Sequence, residues 1–511
     1  MLAPDDIETR ELELKLQVDE DALRAIARAA QTLGLADNRP RRRALQSTYY
    51  DTPDHALFKA GVSLRVRRSS GRWLQTVKAG TAVVGGVSNP VEVEHRLHGA
   101  DVRPDLIPDE SVRAMVFELI GKAELRPTFG IRIQRTIVDC ISGDTCVEVA
   151  LDSGMLEWDG GTAPICEAEF ELKSGSPAAM ADICKQLLAD IDFEPSARSK
   201  AHTGYALVRG ESLERGPVKA SKPALEADMS PAQAFATIAA DAIGQVHANW
   251  SGFLHSDKPE YAHQLRVGLR RLRAAIAVFS KSVDLPEPEH LKASLREMGR
   301  IVGPVRDADV LAADIIAPVT PHMHGAPNVE QLTCAIADLA ADRRAQARET
   351  LAQPAWQAFR IDLALLPFTV ATAKRARRQT AETLAAPALD KAWKKVTKRA
   401  RKIDTLDIEA RHEVRKKLKE LRYAFEFFGA LLGPGAAKAY LKQLKRLQTV
   451  FGYLNDAALA QTLPALADAE TRAAAGFISG WHSAMAEHEW KAVRERWKSM
   501  KATPKPWRDV G

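Results

Sequence analysis

The 511-residue sequence contains no apolar run long enough to cross a bilayer, so a membrane-spanning protein is not expected. Its first ten residues are acidic and hold no apolar core of the kind that directs export. Cysteine is scarce and unpatterned: Cys140, Cys146, Cys166, Cys184 and Cys334 form neither CxxC pairs nor His–Cys spacings. An odd, scattered set argues against a disulfide framework and a thiolate zinc site, and fits reduced thiols in the cytoplasm. The glycine-containing stretch 80–86 lacks the spacing of a P-loop and reads as a hairpin turn.

What remains is an ordinary globular balance, 46% hydrophobic and 27% charged, which argues against wholesale disorder. The length suits two to four domains. The net charge of +6 conceals an asymmetry. Residues 1–210 hold 26 basic and 32 acidic side chains, whereas the rest holds 46 and 34, so the halves carry −6 and +12. Such a split predicts different partners, with the basic half the better polyanion surface.

The acidic half shows period-two alternation at residues 11–18, 62–68, 73–78, 91–97, 131–140, 145–151 and 165–172, which predicts strands, antiparallel in pairing. Helical patterns interrupt them at 21–33, 111–119 and 178–189. Residues 210–230 are polar and proline-bearing and read as a linker. Beyond Pro231 the 3.6-residue period dominates, and proline and glycine punctuate an all-α half. The expected organisation is α+β and multidomain: an antiparallel β tunnel or barrel over residues 1–209, the linker 210–230, a helical bundle over 231–500 and a tail over 501–511.

The strands carry their charges at alternate positions: Glu11, Glu13 and Lys15; Arg65 and Arg67; Glu92 and Glu94; Glu148 and Asp152; Glu167, Glu169 and Glu171. Residues of one parity share one face of a strand. On a single strand that face is ordinarily solvated. Several strands repeating the pattern, some acidic and some basic, would instead line the interior of a barrel. Carboxylates offer hard oxygen ligands for Mg²⁺ or Mn²⁺, and Arg and Lys neutralise phosphate oxygens. The run 41–43 of three arginines reads as a solvated loop end, with a place at the tunnel mouth as the alternative.

Glu11-Leu-Glu13-Leu-Lys15 resembles the ExExK signature of CYTH domains, the triphosphate tunnel metalloenzymes. Tyr49-Tyr50-Asp51-Thr52, Leu64-Arg65-Val66-Arg67, Thr76-Val77-Lys78, Glu148 through Asp152, Ile165 through Gly175, Ser199-Lys200 and Gly204-Tyr205 follow in that family's order over about two hundred residues. The resemblance implies that Glu11, Glu13, Glu169 and Glu171 hold the metal. Lys15, Arg65, Arg67, Lys78, Arg135 and Lys200 would grip a triphosphate, and Glu92, Glu94 and Asp152 would orient the water or hold a second metal. Lys173 matches Glu171 in parity but ends the strand, which places it just outside the tunnel. Relatives of the inorganic-triphosphatase type often carry an arginine shortly before the Glu92 position. Ser88-Asn89-Pro90-Val91 has none, which bears on substrate choice at that point.

The helical half repeats itself at an offset of 149 residues. His263, Arg266, Arg270 and Arg273 correspond to His412, Arg415, Lys419 and Arg422, and the register continues through Leu269/Leu418, Leu272/Leu421, Phe279/Phe428, Leu295/Leu444 and Asp307/Asp456. Each basic set forms one helix stripe, and a duplicated bundle would bring the two stripes to one groove suited to a polyanion. Their cations would repel a metal from the histidines. The stripes, with Lys416, Arg306-Asp307-Ala-Asp309 and Leu454-Asn455-Asp456, resemble the CHAD domain, which implies polyphosphate binding. The Lys/Arg-rich run 391–402 reads equally as an extension of that surface and as a solvated helix.

The expected activity is therefore metal-dependent hydrolysis of inorganic triphosphate, with polyphosphate held by the helical half. The alternatives are a polyphosphate-binding protein without turnover, and hydrolysis of thiamine triphosphate or a nucleotide. Nucleic-acid binding is disfavoured, because the stripes lack aromatic platforms and recognition motifs.

Overall fold

The sheet of the first unit is turned inside out relative to an ordinary half-buried strand pattern. In β1 (Glu13–Gln17), Leu14 and Leu16 face outward into an apolar cluster built with the flanking helices Glu20–Thr32 and Pro177–Leu187. Glu13 and Lys15 face the other way and are only 5% and 6% exposed. Apolar faces that point outward to helices leave the charged faces nowhere to go but inward.

The structure is a computed structural model that describes residues 11–80, 82–214, 216–323 and 328–508. The expectations for residues 1–10 and for the last three residues of the tail lie outside that range. The remaining strands of the first unit are β2 (Arg41–Asp51), β3 (Val62–Ser69), β4 (Arg72–Ala79), β5 (Val87–Ser88), β6 (Val91–Leu97), β7 (Arg126–Ser142), β8 (Thr145–Trp158), β9 (Gly161–Ser174) and β10 (Glu194–Pro195). They run antiparallel in the order β10-β1-β9-β8-β7-β2-β3-β4-β6. β5 pairs with β1, and two residues later the same segment becomes β6 and pairs with β4. The Glu11 N–H also donates to the Pro90 carbonyl at 3.4 Å. The curled sheet thus meets itself at β1, and its concave side is the tunnel expected from the charge alternation.

Two motif positions have structural duties. Asp51, 1% exposed, accepts the N–H groups of Thr52, Leu57 and Phe58 and so fixes the short helix Ala56–Lys59. Gly204 lies so close to Phe129 that a Cβ would come within 2.3 Å of the ring. The arginine run 41–43, expected as a loop end, opens β2 instead. Arg41 donates to both carboxylate oxygens of Asp139 at 2.6 and 3.1 Å. Three successive arginines hide the alternation, which becomes visible only from Leu45 onward.

The second unit is helical. Its helices Pro231–His255, Pro259–Phe279 and Pro288–Val310 each start on a proline, where the missing N–H costs no hydrogen bond. Ser230 and Gln233 close a capping box on the first of them. The repeat is visible in the packing. Helices Pro259–Phe279 and Ile408–Phe427 pack together, and the repeat mates Phe279 and Phe428 stack with centroids 6.0 Å apart. Leu269, Leu418, Leu272, Leu421, Leu295 and Leu444 are all buried at 2% or less.

The units are not simply consecutive in sequence. One comprises the described residues up to Gly216 together with Pro354–Thr369; the other comprises Pro217–Gln353 and the described residues from Val370 onward. The chain leaves the helical unit after Gln353, adds one helix to the sheet unit, and returns.

Candidate functional site

The tunnel encloses about 370 Å³. All the tunnel residues singled out from sequence line it except Asp152 and Glu167, and Lys173, expected just outside, lines it as well. Three networks divide the cavity.

The first is a carboxylate triad. Oxygens of Glu11, Glu13 and Glu92 lie within 4.8 Å of one another. Lys78 bridges all three, at 3.3 Å from Glu11 and from Glu13 and in contact with Glu92. Burial and a hydrogen bond shared with Glu92 push Glu11 up to about 8, against the pull of Lys78. Burial also opposes ionisation of Glu92, but Lys78, Glu11 and Arg65 bring it down to about 2. One proton shared between two carboxylates is the arrangement a hard divalent cation would replace, so the donor set fits Mg²⁺ or Mn²⁺. A prediction follows from Glu11. Below pH 8 a cation must displace its proton, and above pH 8 there is none to displace. The half-saturating Mn²⁺ concentration should therefore fall about tenfold per pH unit as pH rises toward 8, then level off. Isothermal titration at several pH values checks this, and a pH-independent affinity would refute it.

The second network surrounds Glu169. The antiparallel register sets Lys15 opposite Glu169 and Glu13 opposite Glu171. Lys15, Lys200 and Arg135 reach Glu169 at 2.8, 2.9 and 2.7 Å. Although burial pushes its carboxyl up, these cations hold it well below the usual range. The expected quartet Glu11, Glu13, Glu169 and Glu171 is therefore not assembled: Glu169 is a hub for cations, Glu171 contacts Lys173, and Glu92 takes the third place beside Glu11 and Glu13. Asp152, wholly buried behind Arg135, accepts its Nε and Nη2 at 2.7 and 2.6 Å and lies 3.0 Å from Lys200. It aims two cations rather than facing the cavity. Glu167, which sequence reasoning left without a role, contacts Lys200 and accepts from Ser196 at 2.7 Å.

The third network is cationic. Arg65 lies 3.4 Å from Glu92. Arg67 donates to the Ser47 hydroxyl at 3.1 Å and, among the described residues, has no carboxylate at ion-pair distance. Burial, with Arg65 and Arg135 nearby, pushes its guanidinium down to about 9. Glu94 accepts from Thr76 at 3.0 Å nearer the solvent. Tyr49, the one aromatic among the residues lining the tunnel, is stacked on Phe129 at 4.5 Å.

In the helical unit the two stripes converge. Arg271 shows how a buried cation is ordinarily satisfied, with Asp241 at 2.5 Å and Gln245 at 3.0 Å. The stripe cations differ. Arg266 donates to the Gly299 carbonyl, Arg270 to the Tyr423 hydroxyl and Arg415 to the Asn455 side chain. Gly303 makes room for Arg266, whose Nη1 lies 2.8 Å from where a Cβ would stand. Burial, then Arg270 and Arg415, push Lys419 down to about 6. His263 is lowered by burial, Arg306, Arg270 and Lys419, and His412 by burial, Lys416 and Arg415. Arg273 is exposed near Arg296. Lys416 and Arg422 are each paired on their own helix, with Glu413 and Glu426 respectively. Arg306, outside the two stripes in sequence, lies close enough to act on His263 and Arg266.

Sheet and helices define a two-module protein: a charged antiparallel tunnel and a duplicated helical bundle. The comparisons name the modules. The sequence model of the CYTH domain matches residues 9–205 and that of the CHAD domain residues 237–465, so the chain carries a CYTH domain followed by a CHAD domain. A protein of Haemophilus influenzae named inorganic triphosphatase is 32% identical over 164 residues, which cover 32% of this chain and 46% of that protein. The chain thus spans about half the length of that relative. An uncharacterized protein of Mycobacterium tuberculosis is 25% identical over 430 residues, 76% of each chain. The crystal structure of the CHAD domain from the plant Ricinus communis is 26% identical, with a TM-score of 0.50, covering 57% of this chain and 99% of that one. Among the described residues no helix is long and apolar enough to cross a membrane.

Proposed function

We propose that the tunnel hydrolyses inorganic triphosphate with a divalent cation, Mg²⁺ or Mn²⁺, and that the helical unit binds polyphosphate, in the cytoplasm. The observation that carries the first part is the pairing of a carboxylate triad with Arg67, a tunnel cation that has no ion-pair partner among the described residues. Arg65, Arg67, Arg135, Lys15 and Lys200 would take the non-bridging phosphate oxygens, with Arg67 gaining most because it has no carboxylate to give up. Asp152 and Glu167 would position Arg135 and Lys200. A cation held by Glu11, Glu13 and Glu92 would supply charge neutralisation at the phosphoryl group under attack. Glu94 and Glu171 face the cavity without belonging to the triad and would orient the water. Burial holds Glu171 above the usual carboxylate range, which suits it to accept a proton.

Substrate choice follows from the lining. Tyr49 is already stacked on Phe129, so the tunnel offers no free platform for a thiazole or a nucleobase. The name of the Haemophilus relative supports the same reading. Phosphate release should therefore be fastest with tripolyphosphate, slower with thiamine triphosphate and ATP, and absent without the cation. A preference for either organic triphosphate would overturn the substrate assignment.

A further inference from the structure

The helix Pro354–Thr369 lies within the stretch matched by the CHAD model, yet it is part of the sheet unit. It packs on helix Pro177–Leu187, and Ile361, Ala364 and Leu365 enter the same apolar cluster as Leu14 and Leu16 of the first strand. Its polar contacts are directed. Arg360, with none of its surface exposed, forks onto Glu194 at 3.2 and 2.6 Å and holds Gln357 at 3.2 Å. Asp362 pairs with Lys185 at 2.9 Å.

Glu194 is half of the two-residue strand β10, which pairs with β1 at Gln17 and Leu16. Ser196 follows: its N–H donates to the Lys15 carbonyl at 2.8 Å and its hydroxyl to Glu167. Four residues later Lys200 begins its helix and reaches Glu169. A strand of two residues has little ladder of its own to hold it in place. A planar guanidinium bound through two parallel hydrogen bonds supplies both the attachment and its direction.

We propose that Arg360 is a positioning residue of the tunnel: through Glu194 it fixes β10 against β1 and so sets Lys15 and Lys200. The inference rests on the triphosphatase reading for its kinetic consequence, but not for its structural one. Three full-length variants test it: Arg360→Met, Arg360→Lys and Glu194→Gln. Hydrogen exchange of the amides of residues 13–17, 194 and 196 should accelerate about tenfold or more in Arg360→Met, while the β7–β8 ladder keeps its protection. The KM for tripolyphosphate should rise about tenfold to a hundredfold, with Arg360→Lys intermediate because it keeps the charge and loses the fork. Lys185→Met breaks the ion pair to Asp362, which does not touch Glu194, and should leave KM unchanged. Wild-type exchange at residues 13–17, 194 and 196, or acceleration spread evenly over the sheet, would overturn the proposal. So would a KM rise in Lys185→Met equal to that in Arg360→Met. If Arg360→Met fails to fold, Arg360→Lys and Glu194→Gln carry the same comparison. If the protein hydrolyses no triphosphate, the kinetic arm fails with the proposed function, and the exchange arm still decides this inference.

Discussion

Glu13→Gln is expected to lower cation-dependent tripolyphosphate turnover by about a hundredfold or more while leaving the fold intact. Glu13 is the most buried member of the triad and the only one that touches both Lys15 and Lys78. Glutamine keeps its shape and its packing beside Ser88, so the change is almost purely one of charge. Lys78 would retain Glu11 and Glu92, and Lys15 would retain Glu169. Neither cation is stranded, and gross unfolding is not expected. The cation loses its most enclosed oxygen ligand, however, and its half-saturating concentration should rise as turnover falls. Steady-state assays over a Mn²⁺ titration, with circular dichroism as a check on folding, read both. A variant with wild-type turnover and wild-type cation demand would remove the triad from the mechanism.

The second large effect is expected in the helical unit. Replacing Arg270 and Lys419 together with glutamate should weaken long-chain polyphosphate binding by about a hundredfold or more at low salt, and flatten its salt dependence. Both positions lie where the stripes converge, and a bound anion would offset the repulsion that Arg270 exerts on Lys419. The depressed Lys419 also sets a sign for pH. Free, it holds its proton only below about 6; bound to phosphate it would hold it to much higher pH. Binding should therefore take up a proton near neutrality and tighten as pH falls toward 6, with no further gain from this group below that. Tripolyphosphate turnover should be nearly unchanged in the double variant, because neither residue lines the tunnel. Fluorescence titration with labelled polyphosphate at two salt concentrations and three pH values measures these effects. Unaltered affinity would make the stripes ordinary solvated helix faces and the 149-residue register a trace of duplication alone.

The distinction between what was legible in sequence and what was not follows one physical line. Which face a side chain occupies is local, so the alternation put Glu11, Glu13, Lys15, Arg65 and Glu92 on inward faces. Which residue stands across from it depends on register, a non-local quantity that alternation does not contain. Glu169 and Glu171 share parity with the triad and stand opposite Lys15 and Glu13, yet in this structure Glu169 gathers cations and Glu92 stands beside Glu11 and Glu13. Asp152 fails differently: it shares a network with the site but lies behind it. The helical repeat was legible because duplication writes register into the sequence itself, and Phe279 stacking on Phe428 is its direct expression. The allegiance of Pro354–Thr369 was not, because an apolar helical period says that a face will be covered and not by which partner.

That helix also sets a clock on synthesis. Glu194 and Arg360 are 166 residues apart. At roughly 5–20 residues per second, the ribosome delivers the arginine about 8–30 s after its carboxylate. Through that interval the sheet unit has all its strands but not its last helix, and the side of helix Pro177–Leu187 that the missing helix will cover has no cover from its own chain. Nascent-chain folding of this module is therefore tied to translation of the module that follows it, and a pause or truncation between the two residues would leave a formed sheet with an open seam.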